Sequence, residues 1–279
     1  MNSFNAHISE SAFLVNESRA RNVSLSRDRF AHLWVNAATR ELWEAFSSDV
    51  YPHDAIELGI RNRFFLTALE SFVAEREHPV FVNIGAGFTS YPYLVDERCR
   101  TVEIDLAHVI EFKRQRADGW GREGRLPERR VEYIPADCTR SADVERLRET
   151  LERTIEDAPS FVLIEGLTYY LSRPALDALM RLCSSVQRER SLLAFDFWTP
   201  DTAHHPTFDR LRRFFSERFG HAETRYTLLM PKEIGAIGGY RLVRHTDVQE
   251  LERTYLGTAV LADYDAILPE HYVLLERRM

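Results

Sequence analysis

Val80-Phe81-Val82-Asn83-Ile84-Gly85-Ala86-Gly87-Phe88, followed by Thr101-Val102-Glu103-Ile104-Asp105, decides the fold. Val80 to Ile84 is a short run of mostly β-branched and aromatic residues that follows Pro79 and ends in glycines. That is the pattern of a buried strand running into a tight turn. Glycine there lets the backbone approach a ligand closely. Asp105 stands twenty positions after Gly85 at the end of a second strand-like run, where a carboxylate can accept hydrogen bonds from both hydroxyls of a ribose. The pair points to a nucleoside-containing cofactor. Ser90 stands where the dinucleotide fingerprint has its third glycine, so the turn alone does not choose among nucleoside cofactors.

Outward from the turn, strands and helices alternate. Arg130 to Pro135, Ser160 to Glu165 and Ser191 to Trp198 read as further strands, separated by helical patterns with Leu106, Val109, Ile110 and Phe112, then Val144, Leu147, Leu151 and Ile155, then Leu176, Leu179, Met180, Cys183 and Val186. Such alternation predicts an α/β, doubly wound, mainly parallel sheet covered on both faces. Past Trp198 the order loosens to a helix with Phe208, Leu211 and Phe215, strand-like Tyr240 to Val243, a short helix over Val248 to Leu256 and a last strand-like run, His271 to Leu275. The final pair predicts an antiparallel C-terminal strand. Before Pro79 only helices are expected, from Asp28 to Phe46 and from Arg63 to Ala74. Two regions follow: a helical extension over 1–79 that caps the active site, and a sheet domain over 80–279 with a substrate-specific insertion at about 199–240.

The 279 residues carry a formal net charge of -7, which argues against nucleic acid as the partner. Cys99, Cys138 and Cys183 are odd in number and widely spaced, fitting neither a disulfide framework nor a zinc site. No apolar run approaches a membrane span and the first residues lack a secretory pattern. A cytoplasmic protein is expected, without membrane or metal; the sequence leaves its oligomeric state open.

In a doubly wound sheet, ligands sit beyond the carboxyl ends of the strands. The residues there are Gly85 and Gly87, Asp105, Asp137 with Cys138, Glu165 with Gly166, and Asp196 to Trp198. Asp105 also suits an N-cap for the helix after Leu106, and Asp137 suits a turn before Thr139.

The runs Val82 to Phe88, Val102 to Leu106 with Glu111-Phe112-Lys113, and Ile164-Glu165-Gly166-Leu167-Thr168-Tyr169-Tyr170-Leu171 together resemble the leucine carboxyl methyltransferase superfamily, over about residues 15–198. That resemblance includes O-methyltransferases of polyketide tailoring. It implies a Rossmann-like class I methyltransferase fold and S-adenosylmethionine as cofactor. It places Gly85 and Gly87 beneath the cofactor's amino-acid portion, Asp105 at the ribose, Asp137 and Cys138 at the adenine, and Glu165 near the ammonium group. It further implies an arginine on the cofactor carboxylate, for which Arg61 is the first match and Arg63 the rival; a guanidinium grips a carboxylate with paired hydrogen bonds. The protein-directed members use a lysine near the N-terminus as a second contact. This chain has no lysine before Lys113, and Arg19, Arg21 or Arg40 would have to substitute with a different geometry.

The implied acceptor is a carboxylate of a small molecule or peptide, which is ionised at neutral pH and needs no base. A phenol or alcohol acceptor needs one, with Asp196, His204 and His205 as candidates. Tyr169, Tyr170 and Trp198 are candidates to line the acceptor pocket. A nicotinamide-dependent oxidoreductase and a non-catalytic binding protein of the same fold stand as alternatives.

Overall fold

The computed structural model describes residues 10–219, 226–262 and 268–278. Parts of the expected extension (1–9) and insertion (220–225) therefore lie outside the described residues. Four helices come first: α1 (Glu10–Arg21), α2 (Val23–Ser26), α3 (Ala37–Asp49) and α4 (Asp54–Ala74). Then β1 (Val80–Ile84), α5 (Tyr91–Leu94), β2 (Arg100–Asp105), α6 (Ala107–Arg122), β3 (Val131–Pro135), α7 (Ser141–Ile155), β4 (Ser160–Ile164), α8 (Arg173–Val186) and β5 (Leu192–Trp198) alternate. The chain continues through α9 (Pro206–Phe219), α10 (Pro231–Ile234), β6 (Tyr240–Asp247), α11 (Val248–Leu256) and β7 (Glu270–Arg277).

Among the described residues the strands form one sheet in the order β3-β2-β1-β4-β5-β7-β6. β1 to β5 are mutually parallel, and β7 runs antiparallel to both β5 and β6. This is the mainly parallel, doubly wound sheet with an antiparallel C-terminal strand that the alternation predicts. Side chains of successive residues point to opposite faces. Val80, Val82 and Ile84 pack with α7 and α8, while Phe81, with Phe161 and Leu163 of β4, packs with α4 and α11. Strand order reverses at β1 and β4, so a crevice opens beyond their carboxyl ends, where ligands bind in such sheets.

The N-terminal helices differ from expectation. The continuous helix over Asp28 to Phe46 is instead a 3-10 turn, Ala31–Leu33, followed by α3. Asn36 adopts an extended backbone, accepts from the Ala38 and Thr39 amides and is capped in return by Thr39, which starts a new helix. α4 begins at Asp54, well before Arg63, because its first turns turn polar residues inward: Asp54, Glu57, Arg61 and Asn62 are all buried. α1 has no counterpart in the expected elements for the same reason, since Asn16, Glu17, Ser18 and Arg19 are buried beside Phe13 and Leu14. An apolar periodicity cannot report a helix whose inward face is polar.

The glycine turn is held from below. Gly85 has φ +73°, and a Cβ there would lie 2.9 Å from Leu167 Cδ2, so no other residue fits. The Gly85 and Ala86 amides donate to the Ile104 carbonyl at 2.9 and 3.1 Å. Lys113 Nζ donates to the Ala86 carbonyl at 3.3 Å and to Glu103 Oε1 at 2.6 Å, both side chains being fully buried. Burial opposes both charges, raising the Glu103 pKa and lowering that of Lys113, so the pair survives only as a pair. Lys113→Met should cost about 3–5 kcal/mol in urea unfolding by stranding Glu103, and adding Glu103→Leu should recover much of that loss.

Candidate functional site

A cavity of about 510 Å³ lies beyond the carboxyl ends of β1, β2, β3 and β4. Gly85, Gly87, Asp105, Asp137, Cys138, Glu165 and Arg61 all border it. Seven residues chosen from the sequence thus meet around one space. Its opposite wall is α1, through Ser11, Ala12, Val15, Asn16 and Arg19, with Tyr170, Leu171, Phe215 and Tyr226 on the remaining side.

Asp105 closes β2 and is gripped by two backbone amides. Gly87 N donates to Oδ2 and Leu106 N to Oδ1, each at 2.7 Å. Burial raises its pKa, and these amides with Lys113 and His108 oppose the rise. A carboxylate holds about four lone-pair sites, so both oxygens retain capacity for ligand hydroxyls. Asp137 combines its two expected readings: it borders the cavity, and its Oδ1 also accepts from the Thr139 amide at 2.9 Å and the Thr139 hydroxyl at 2.6 Å. The Cys138 thiol is pushed up to about 12 by burial and nearby carboxylates and stays protonated.

Arg61 and Arg63 occupy different faces of α4. Arg61 points inward, whereas the Arg63 guanidinium lies 4.4 Å from the Tyr255 ring centre. Arg61 is already heavily engaged. Its Nε donates to Glu165 at 3.0 Å and its Nη1 to Asp196 and Glu270 at 3.2 and 3.1 Å. Arg19 presents the complementary situation. Its Nη2 donates to Glu165 Oε1 at 2.5 Å, but Nε and Nη1 are buried with no hydrogen-bond partner among the described residues. Tyr91 donates to the other oxygen of Glu165 at 2.7 Å. Burial opposes ionisation of Glu165, yet Arg19, Arg61 and Tyr91 together hold its pKa below the usual carboxylate value.

Other candidates lie elsewhere. Asp196 is fully buried behind Gly166, whose amide donates to both of its oxygens at 2.8 and 3.0 Å. Its pKa is driven well upward by burial and by Glu270. His204 is exposed, and His205 is buried with Nδ1 accepting from the Thr207 amide at 3.2 Å. None of these three borders the cavity. Tyr169 and Trp198 stack on each other at 3.9 Å behind the wall, so of the three aromatic candidates only Tyr170 lines it. Sequence reasoning missed Phe215, Tyr226 and Asn16. Phe215 reads as a helix-core position and Asn16 sits in a helix without apolar periodicity.

The sequence profile of leucine carboxyl methyltransferase matches residues 11–184. The chain belongs to that family. A Mycolicibacterium paratuberculosis protein, assigned by its name to the S-adenosyl-L-methionine-dependent methyltransferases, is 34% identical over 142 residues, 50% of this chain and 48% of the relative. The chain thus matches about half the length of that curated relative. A family DUF574 protein from Streptomyces avermitilis superposes with TM-score 0.64 at 18% identity, covering 96% of this chain and 97% of that one. A Thermobifida fusca protein described as a methyltransferase superposes with TM-score 0.61 at 18% identity, covering 88% and 90%. At this identity the superpositions establish the shared Rossmann-like fold.

In this family member Arg61 balances three buried carboxylates, so its removal strands Asp196 and Glu270 and leaves Glu165 to Arg19 and Tyr91. Arg61→Ala should lose about 3–5 kcal/mol of stability in chemical denaturation. Arg63→Ala, which loses one half-buried cation–π contact with Tyr255, should lose about 1 kcal/mol or less.

Proposed function

We propose that the chain is an S-adenosylmethionine-dependent O-methyltransferase whose acceptor is a carboxylate of a small molecule or peptide. The observation that carries the cofactor is the pair of Arg19 guanidinium nitrogens, Nε and Nη1, that have no hydrogen-bond partner among the described residues, at the edge of a cavity that also holds the glycine turn and Asp105. A buried donor without a partner costs about 1–3 kcal/mol, more when charged. A carboxylate brought by a ligand removes that cost. The residues fit the group: Asp105 would hold the ribose hydroxyls, Asp137 and the Cys138 backbone the adenine, and Arg19 the carboxylate, with Arg61 orienting Glu165 behind it. This assigns to Arg19 the grip first expected of Arg61, whose Nε and Nη1 are spoken for by protein carboxylates.

When bound, the cofactor supplies an electrophilic methyl group on a sulfonium. The chain's part is to hold donor and acceptor in line, which can lower a barrier by about 7–11 kcal/mol. A carboxylate acceptor is favoured by the placement of the three candidate bases. Asp196, His204 and His205 all lie off the cavity. The one histidine that borders it among the described residues, His108, stands beside Asp105 on the nucleoside side. Tyr170 and Tyr226 give the acceptor side an aromatic surface, and burial raises the Tyr226 pKa, so it acts as a neutral donor rather than a base. Family membership leaves the nicotinamide reading without support.

Methyl-labelled S-adenosylmethionine incubated with the protein and a panel of carboxylic acids and phenols should give a labelled product that releases volatile methanol in mild alkali, as esters do. An alkali-stable product would place the methyl on a phenol or alcohol. Asp105→Ala and Arg19→Met should each weaken S-adenosylhomocysteine binding by about tenfold or more in calorimetry, with the far-ultraviolet circular dichroism unchanged.

A further inference from the structure

α1 crosses the cavity wall between two fixed points. Ala12 lies opposite Gly87, its Cβ 3.6 Å from where a Cβ on that glycine would sit, and Arg19 reaches Glu165 at the end of β4. Asn16 falls between them, four residues after Ala12 and three before Arg19, so all three share one helix face. Asn16 is 1% exposed and borders the cavity. Its Nδ2 donates to the Ala12 carbonyl at 2.8 Å, and its Oδ1 is buried without a hydrogen-bond partner among the described residues. A carbonyl can only accept, so the bond to Ala12 fixes which end of the amide is which. One face of α1 therefore carries an unpartnered acceptor at Asn16 and unpartnered donors at Arg19, about one helical turn apart.

Orphaned buried polar atoms call for a partner. An acceptor beside a cationic double donor complements an α-amino acid zwitterion, whose ammonium donates and whose carboxylate accepts. Glu165, the residue expected near that ammonium, already accepts from both Arg19 and Arg61 at Oε1 and from Tyr91 at Oε2, which leaves it at most one lone pair on Oε2. We propose that Asn16 Oδ1 accepts a hydrogen bond from the α-ammonium of the cofactor, making Asn16 a binding determinant for its amino-acid end. The proposal rests on the S-adenosylmethionine reading above. It assigns to the N-terminal helix the reading of both charges of that end, while the sheet holds the nucleoside.

The test is calorimetric binding of three probes: S-adenosylhomocysteine, its analogue lacking the α-amino group, and 5′-methylthioadenosine, which lacks the whole amino-acid end. Wild type should prefer S-adenosylhomocysteine over the deaminated analogue. In Asn16→Leu the affinity for S-adenosylhomocysteine should fall about tenfold or more, as expected for a hydrogen bond to a charged group. Affinities for the other two probes should stay within about twofold, which a general collapse of the site would not allow. Should Asn16→Leu fail to fold, Asn16→Ala carries the same comparison. An unchanged affinity for S-adenosylhomocysteine, or equal losses for all three probes, would overturn the role of Asn16 alone. Failure of the wild type to bind any of the three would overturn the cofactor reading and this inference with it.

Discussion

Arg61 lies within hydrogen-bonding distance of carboxylates from three strand ends: Glu165 after β4, Asp196 in β5 and Glu270 at the start of β7. Arg19 of α1 joins through Glu165. Charges are tolerated at such depth only when each is paired, and breaking one pair exposes the full desolvation penalty of the rest. The network therefore does more than contribute to stability. It fixes α1 and α4 against the carboxyl edge of the sheet, because those two helices carry the only cations it contains among the described residues. Neighbouring acids adjust to it. Burial and Glu270 push the Glu57 pKa well up, and burial lifts that of Asp54 to about 6 despite hydrogen bonds from Ser18 and Trp43.

The same constraint shapes the cavity. α1, tied to the sheet edge by Arg19, faces the cavity with Asn16 and Arg19 beside Ala12 and Val15, opposite a glycine turn that is itself tied down by Lys113, Thr89 and Asp105. Ser90, which stands at the third glycine of the dinucleotide fingerprint, accepts a hydrogen bond from Trp34 at 3.3 Å. The N-terminal segment is thus fastened to the turn at that point. A side chain there serves the docking of the extension, which a glycine would not.

What the sequence made legible follows from where apolar periodicity holds. β1, β2, β4, β5, α7 and α8 bury ordinary hydrophobic faces, and their patterns located them and the strand ends that carry Gly85, Asp105 and Glu165. α1 and the first half of α4 bury Asn16, Arg19, Asp54, Glu57 and Arg61, so the signal that marks a helix was absent where the helices matter most for the site. Arg19 was reachable only as a stand-in for a missing lysine. Nothing in the pattern distinguished its free donors from the engaged ones of Arg61, because that depends on how many carboxylates the fold gathers around each. Asp196 and Trp198 show the converse: both follow from strand-end logic, and the fold uses them to support Gly166 and Tyr169 from behind.

On this reading one cavity, walled by the glycine turn, Asp105 and the N-terminal helix, takes an adenosine carrying an amino acid. Calorimetric titration of the purified protein with S-adenosylhomocysteine, with oxidised and reduced nicotinamide dinucleotides run in parallel, tests it most directly. Saturable one-to-one binding of S-adenosylhomocysteine, and of neither dinucleotide, is the predicted result; binding of a dinucleotide alone, or of none of the three, would contradict it.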